Sequence, residues 1–237
     1  MSNTEAKHRT PGLRYAAHLG FPSIDHPLLA GITGSDDPVR HIEFAAGLGL
    51  AGVLDPFAAS RSSAAQARIG MAAMDHDLAM GSFLYVPFPE LARARWASPD
   101  LECVPILLDD VCNAIAIAAR LGSRHIVILA IAEVGIPASV QQSVMADRLK
   151  WAGDLAARAG MTVLVEGVSR ARLPHLLLHG IAASATVVSA AAHPAVRLAF
   201  DTGVLSPPSA FSTLDGILFQ GQRSCMEARV VRHQFPR

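Results

Sequence analysis

Two stretches of this chain follow one plan: AARLGSRHIVIL at residues 118–129 and ARAGMTVLVEG at residues 157–167. Each passes from helix-forming sequence through a glycine into a short, unbroken apolar run. Unbroken runs of this length are the pattern of strands buried on both faces, which is the situation of a parallel sheet covered by helices. Parallel neighbours cannot be joined by a tight hairpin and need a crossover, so the plan predicts repeated βα units. An open doubly wound sheet and a (β/α)8 barrel both satisfy it.

The same signal recurs along the chain. Strands are expected over residues 13–19, 52–55, 78–86, 125–131, 161–166, 196–201 and 216–220. Between them, Asp37 and Pro38 form a cap and first helical residue for a helix that stops near Gly49. In ILLDDVCNAIAIAARLG, helical spacing puts Leu107, Leu108, Val111, Ala114, Ile115, Ala118 and Leu121 on one side before Gly122. A third helix begins near Ser139 and ends at Gly160.

The strand ends separate the two architectures. The segment AAHLGFPSIDHP after the first strand is not GxGxxG, and GxxxxGK[ST] does not occur, so the nucleotide-binding open sheets lose their signature. MTVLVEG closes on Glu166 and VRLAFDTG on Asp201. A barrel gathers the C-terminal ends of its strands at one mouth, where two acids on successive strands can share a divalent cation. A TIM-type (β/α)8 barrel is therefore expected over residues 13–222, with a polar tail at 1–12 and a second tail at 223–237. His18, at the end of the first strand, and Asp55, at the end of the second, face the same mouth in that fold, as does Glu133 beyond the fourth.

Charge and cysteine content narrow the partners. Twenty basic and twenty acidic residues cancel and no long basic run is present, so a nucleic-acid partner is not expected. The opening MSNTEAKHRTPG has no apolar middle and no apolar stretch reaches membrane-span length, which gives a cytoplasmic expectation with no membrane partner. Cys103, Cys112 and Cys225 form no CxxC pair and are expected to be packing or loop thiols. Trp96 and Trp151 are expected to pack, and His175 and His179, at i, i+4 spacing, to share a helix face.

The ordered set YAAHLGF, GLAGVLDPF, DLAMGSFLYVPF, AARLGSRHIVIL, ARAGMTVLVEG and VRLAFDTG resembles the xylose isomerase-like barrels of the sugar-phosphate isomerase/epimerase group, in its hydroxypyruvate isomerase-like branch. The resemblance implies that Glu166 and Asp201 ligate a divalent metal, Mg or Mn, with Gln220 as a third ligand and Gln222 as its substitute. It also implies that Glu166 moves a proton beside the carbonyl of a small hydroxy-carbonyl or sugar-like substrate, through an enediolate. From its place at a strand end, and not from the resemblance, His18 is expected as a further catalytic or orienting group, and the same holds for two acids at that mouth. Asp55 and Glu133 would serve substrate binding.

Two departures from the family pattern support a second expectation, a barrel relative impaired in catalysis that acts as a binding or assembly subunit. Where the family writes DxxH after the sixth strand, this chain has Asp201, Thr202, Gly203 and Val204. The acid expected on an eighth strand has only Glu227 to match it, seven residues past Gln220, too near to admit the intervening helix. An incomplete or irregularly closed barrel after the seventh strand is thus expected, its open edge covered by a second copy, a partner subunit or the basic tail of Arg229, Arg232, His233 and Arg237. A DNA-repair endonuclease on the same fold is the weakest reading, because a basic face and further strand-end histidines are missing from the sequence.

Overall fold

The computed structural model describes residues 14–20 and 24–199. Strands and helices alternate: β1 (Ala16–His18), α1 (Ala30–Thr33), α2 (Pro38–Gly47), β2 (Gly52–Leu54), α3 (Ser63–Asp75), β3 (Ala79–Met80), β4 (Phe83–Leu84), α4 (Val104–Leu121), β5 (His125–Ile128), α5 (Ala138–Arg158), β6 (Thr162–Glu166), α6 (Gly180–Ala191) and β7 (Val196–Ala199). All pairings between these strands are parallel and follow chain order, β1–β2–β3 and then β4–β5–β6–β7. A doubly wound sheet reverses its order at a switch point, whereas a barrel adds each strand beside the last. The fold is the TIM-type barrel.

Six of the expected strands are present within a few residues of their predicted bounds, and the seventh, at 216–220, lies outside the described residues. One differs in kind. The apolar run 78–86 is not continuous but breaks at Gly81 and Ser82, so that β3 pairs with β2 while β4 pairs with β5. The break keeps its backbone bonded: Gly81 N–H donates to the Val53 carbonyl at 2.7 Å, and the buried Ser123 hydroxyl donates to the Gly81 carbonyl at 2.7 Å. One chain segment thereby serves two neighbours.

Local chemistry explains the helix ends. The Asp37 side chain accepts from Val39 N–H at 3.0 Å with Pro38 in the first turn, a cap that contributes about 1 kcal/mol. Gly122 and Gly160, which end α4 and follow α5, hold φ of 71° and 68°, where a Cβ is unfavourable. On α4 the residues Leu107, Val111, Ala114, Ala118 and Leu121 are buried as the spacing requires, together with Ile117. Leu108 is 37% exposed and Ile115 is half-buried, because both lie at the margins of the buried stripe. Strand residues Val53, Phe83, Ile126, Val163, Val165 and Val196 belong to the hydrophobic core, each at most 1% exposed. Full burial of such a side chain stabilises by roughly 1.5–3 kcal/mol.

The two tryptophans pack as expected. Trp96 is fully buried, stacks on Trp151 of α5 at a centroid separation of 5.6 Å, and meets Tyr85 edge-on at 5.9 Å. Of the two described cysteines, Cys103 is buried and Cys112 exposed, and neither is in a disulfide. The histidine pair differs from expectation. His175 lies in a turn, and His179 precedes α6 as its N-cap, with Nδ1 3.1 Å from the Val168 carbonyl oxygen. Pro174 and the antiparallel bridge between Ile131 and Leu176 keep this segment out of a helix.

Candidate functional site

Parallel pairing brings the C-terminal ends of neighbouring strands to the same side. His18 is the last residue of β1 and pairs in register with Leu54, the last residue of β2, while Leu19 N–H donates to the Leu54 carbonyl at 2.8 Å. His18 is half-buried there, and Asp55 follows directly on the adjacent strand. These two sequence candidates are thus neighbours at one rim.

Asp55 is 1% exposed, and its Oδ2 accepts from Arg61 Nε at 2.5 Å. The Arg61 side chain is itself only 10% exposed. A short 3-10 turn at Ala58–Ser60 carries the chain from the strand end to Arg61. Gln66 on α3 then fixes that turn, donating to the carbonyls of Ala58 and Arg61, each at 2.9 Å, while Arg120 on α4 donates to its Oε1 at 2.7 Å. The pair is therefore held by a side-chain scaffold from two helices. Arg61 carried no sequence signal beyond its place six residues after a strand-end acid.

Glu133 lies past β5, where the chain bonds to the segment following β6: Leu177 N–H donates to the Ala130 carbonyl at 2.8 Å and Ala132 N–H to the His175 carbonyl at 2.9 Å. The Glu133 carboxylate takes Arg95 Nε at 3.0 Å, and Arg95 also binds Asp100 at 3.0 Å. Buried Arg148 of α5 ties down the same loop by donating to the carbonyls of Arg95 and Asp100. Gln141 brackets Glu133 with bonds to its backbone N–H and C=O at 2.8 and 2.9 Å. Glu133 is thus part of a loop network, and Arg95 is the partner that sequence reading did not identify.

Glu166 ends β6, half-buried, in register with Ala199 of β7. Asp201 follows Ala199 by two residues in sequence, but Asp201 and Gln220 lie outside the described residues. The backbone behind Glu166 is closely packed: a Cβ on Gly167 would stand 2.2 Å from the Gly180 carbonyl oxygen and 2.6 Å from Ser184 Oγ. Among the described residues no three His, Cys, Asp or Glu side chains gather closely enough to hold a metal ion. At the end of β4, burial pushes the Tyr85 phenol well above its ordinary range, so it stays protonated.

These features define a parallel α/β barrel whose strand ends carry an imidazole, a buried acid and a half-buried acid on different strands. Residues 13–206 match the xylose isomerase-like TIM barrel family, and the chain belongs to it. Similar solved structures include an AP endonuclease of family 2 from Brucella melitensis, 20% identical, covering 86% of this chain and 75% of that one with a TM-score of 0.69. D-psicose 3-epimerase from Clostridium cellulolyticum H10, crystallised with D-tagatose, is 14% identical over 86% of this chain and 71% of its own, with a TM-score of 0.65. A 3-keto-D-glucoside 4-epimerase from E. coli is 13% identical over 78% of this chain and 70% of its own, at 0.60. Identities this low establish the shared fold. No curated protein matches the sequence, and no described helix is long and apolar enough to cross a membrane.

Proposed function

We propose that this protein is a metal-dependent isomerase or epimerase of a small hydroxy-carbonyl compound, of the hydroxypyruvate or simple ketose type. The observation that carries the reading is the placement of Glu166 at the end of β6, opposite Ala199, which stands two residues before Asp201. A metal site built from Glu166, Asp201 and Gln220 has an all-oxygen donor set, which suits Mg or Mn. The half-buried position of Glu166 at a strand end fits such a ligand. A bound divalent cation supplies positive charge beside the substrate carbonyl. Glu166 would remove the proton from the adjacent carbon, and His18 would orient a substrate oxygen from the β1 end. The epimerases among the similar structures support a reaction of this kind.

The test is elemental analysis of the purified protein beside a Glu166→Ala, Asp201→Ala double variant, both equilibrated with Mg2+ and Mn2+. Near-stoichiometric metal in the natural protein and none in the variant is the expected result. Absence of metal from both would overturn the reading in favour of a catalytically impaired barrel, which Val204, in place of the family histidine, already favours. Solvent-deuterium incorporation into hydroxypyruvate or a ketose then tests the proton transfer itself.

A further inference from the structure

We infer that Arg61, held by Asp55, is a substrate-binding residue that recognises a hydroxyl of a neutral polyhydroxy carbonyl compound; the inference rests on the isomerase reading for its location at the reactive mouth. The geometry behind it is a buried pair with unused capacity. Among the described residues the Arg61 guanidinium makes one hydrogen bond, through Nε, so both terminal nitrogens lack a partner. Asp55 Oδ1 also has none, although the residue is 1% exposed. A buried polar atom left unpaired costs on the order of 1–3 kcal/mol, so its persistence calls for a ligand or an ordered water.

The location is specific. Asp55 follows β2 and Gly20 follows the end of β1, and a Cβ at Gly20 would stand 3.0 Å from Asp55 Oδ1 and 3.5 Å from an Arg61 terminal nitrogen. Gly20 thus lets the β1 end close over the pair beside His18. The pair lies at the same strand ends as His18, which is in register with Leu54, the residue before Asp55.

Charge decides the chemistry. A lone guanidinium would select a carboxylate or phosphate, but Asp55 neutralises Arg61 through a direct bond at 2.5 Å. The pair therefore carries no net charge to attract an anion. A hydroxyl is a small group that can accept from the guanidinium and donate to a carboxylate at once. Sugars present several such groups, whereas a short keto acid presents chiefly negative charge.

Isothermal titration with D-tagatose, D-fructose, D-allulose and, separately, hydroxypyruvate tests this on the natural protein and on Arg61→Met, Arg61→Lys and Asp55→Asn. At least one ketose should bind the natural protein, and Arg61→Met should weaken it about 10- to 100-fold, the loss of one charge-assisted hydrogen bond, with partial recovery in Arg61→Lys. On the same scale hydroxypyruvate affinity should stay within about twofold of the natural value in Arg61→Lys, which keeps the pair neutral, and should fall in Arg61→Met and rise in Asp55→Asn, each of which leaves one charge unbalanced. Thermal denaturation screens the variants, and if Arg61→Met fails to fold, Arg61→Lys and Asp55→Asn carry the comparison. Ketose affinity unchanged by every folded variant, or no ketose binding to the natural protein, would overturn the inference. A loss confined to hydroxypyruvate would also overturn it, in favour of an anion site. Metal content reports separately on the isomerase reading: a metal-loaded protein that exchanges the hydroxypyruvate proton but ignores ketoses keeps the reaction and loses only this specificity.

Discussion

Gly167→Ala probes the link between packing and the candidate site. Gly167 follows Glu166, and an added Cβ would meet the Gly180 carbonyl oxygen at 2.2 Å, Ser184 Oγ at 2.6 Å and the Gly180 carbonyl carbon at 2.8 Å. Ordinary contact begins near 3.4 Å, so the backbone after β6 and the start of α6 must separate by about 1 Å. The Ser184 side chain can rotate aside, but Gly180 belongs to the first turn of α6 and cannot. Inserting a methyl against an unyielding neighbour costs about 1–3 kcal/mol. For a chain of this size each kcal/mol lowers Tm by roughly 2–4 °C, which gives a drop of about 2–12 °C. The same displacement moves Glu166, and an error of about 1 Å in a reacting group can cost about 100-fold in rate. Differential scanning calorimetry, metal content and deuterium incorporation measure the three consequences. Gly47→Ala is the control: that glycine ends α2, is exposed, and a Cβ there meets nothing within 4 Å. It should leave stability equal or up to about 1 kcal/mol higher, from helix propensity alone. A Gly167→Ala protein with the Tm of the natural one would refute the argument that this contact is unyielding.

Further perturbations address other parts of the molecule. Gly70→Ala should destabilise by about 1–3 kcal/mol in urea titration, since its Cβ would meet the Arg120 carbonyl oxygen at 2.2 Å where α3 crosses α4. Trp96→Ala should cost about 3–5 kcal/mol by the same measurement, because the indole is fully buried between Tyr85 and Trp151. Ser123→Ala should cost about 1–3 kcal/mol by leaving the buried Gly81 carbonyl without its 2.7 Å donor at the strand break. Asp110 tests pH dependence: burial holds its carboxyl above the usual range despite the opposing pull of Arg93, 2.8 Å away. The folded protein then binds this proton more tightly than the unfolded chain, so the contribution is complete below the ordinary carboxylate value and is lost as pH rises through the raised one. Asp110→Asn should flatten that part of the stability–pH profile, and an unchanged slope in denaturation midpoints across the acidic range would count against it.

The strands were legible because burial on both faces leaves an unmistakable run of apolar residues, and Gly122 and Gly160 marked the helix ends because few other residues tolerate their φ. The break at Gly81 and Ser82 was not legible. Hydrophobicity reports which residues are buried, and Leu78, Met80, Phe83, Leu84, Tyr85 and Val86 are all buried; it does not report which neighbour accepts their hydrogen bonds. For the same reason the spacing of His175 and His179 misleads, since i, i+4 spacing describes a helix only if the chain is helical, and there it turns to pair with the segment after β5. Acids at strand ends could be named from sequence because a strand end is a local property. Their partners could not, because Arg61 reaches Asp55 through a 3-10 turn fixed by α3 and α4, and Arg95 reaches Glu133 across 38 residues. That difference bears on function: a strand-end acid bonded to arginine is already neutralised, while one beside another acid is available to a cation. Asp55 and Glu133 are of the first kind, and the metal reading rests on Glu166 at the end of β6 and on Asp201, which follows Ala199 by two residues in sequence.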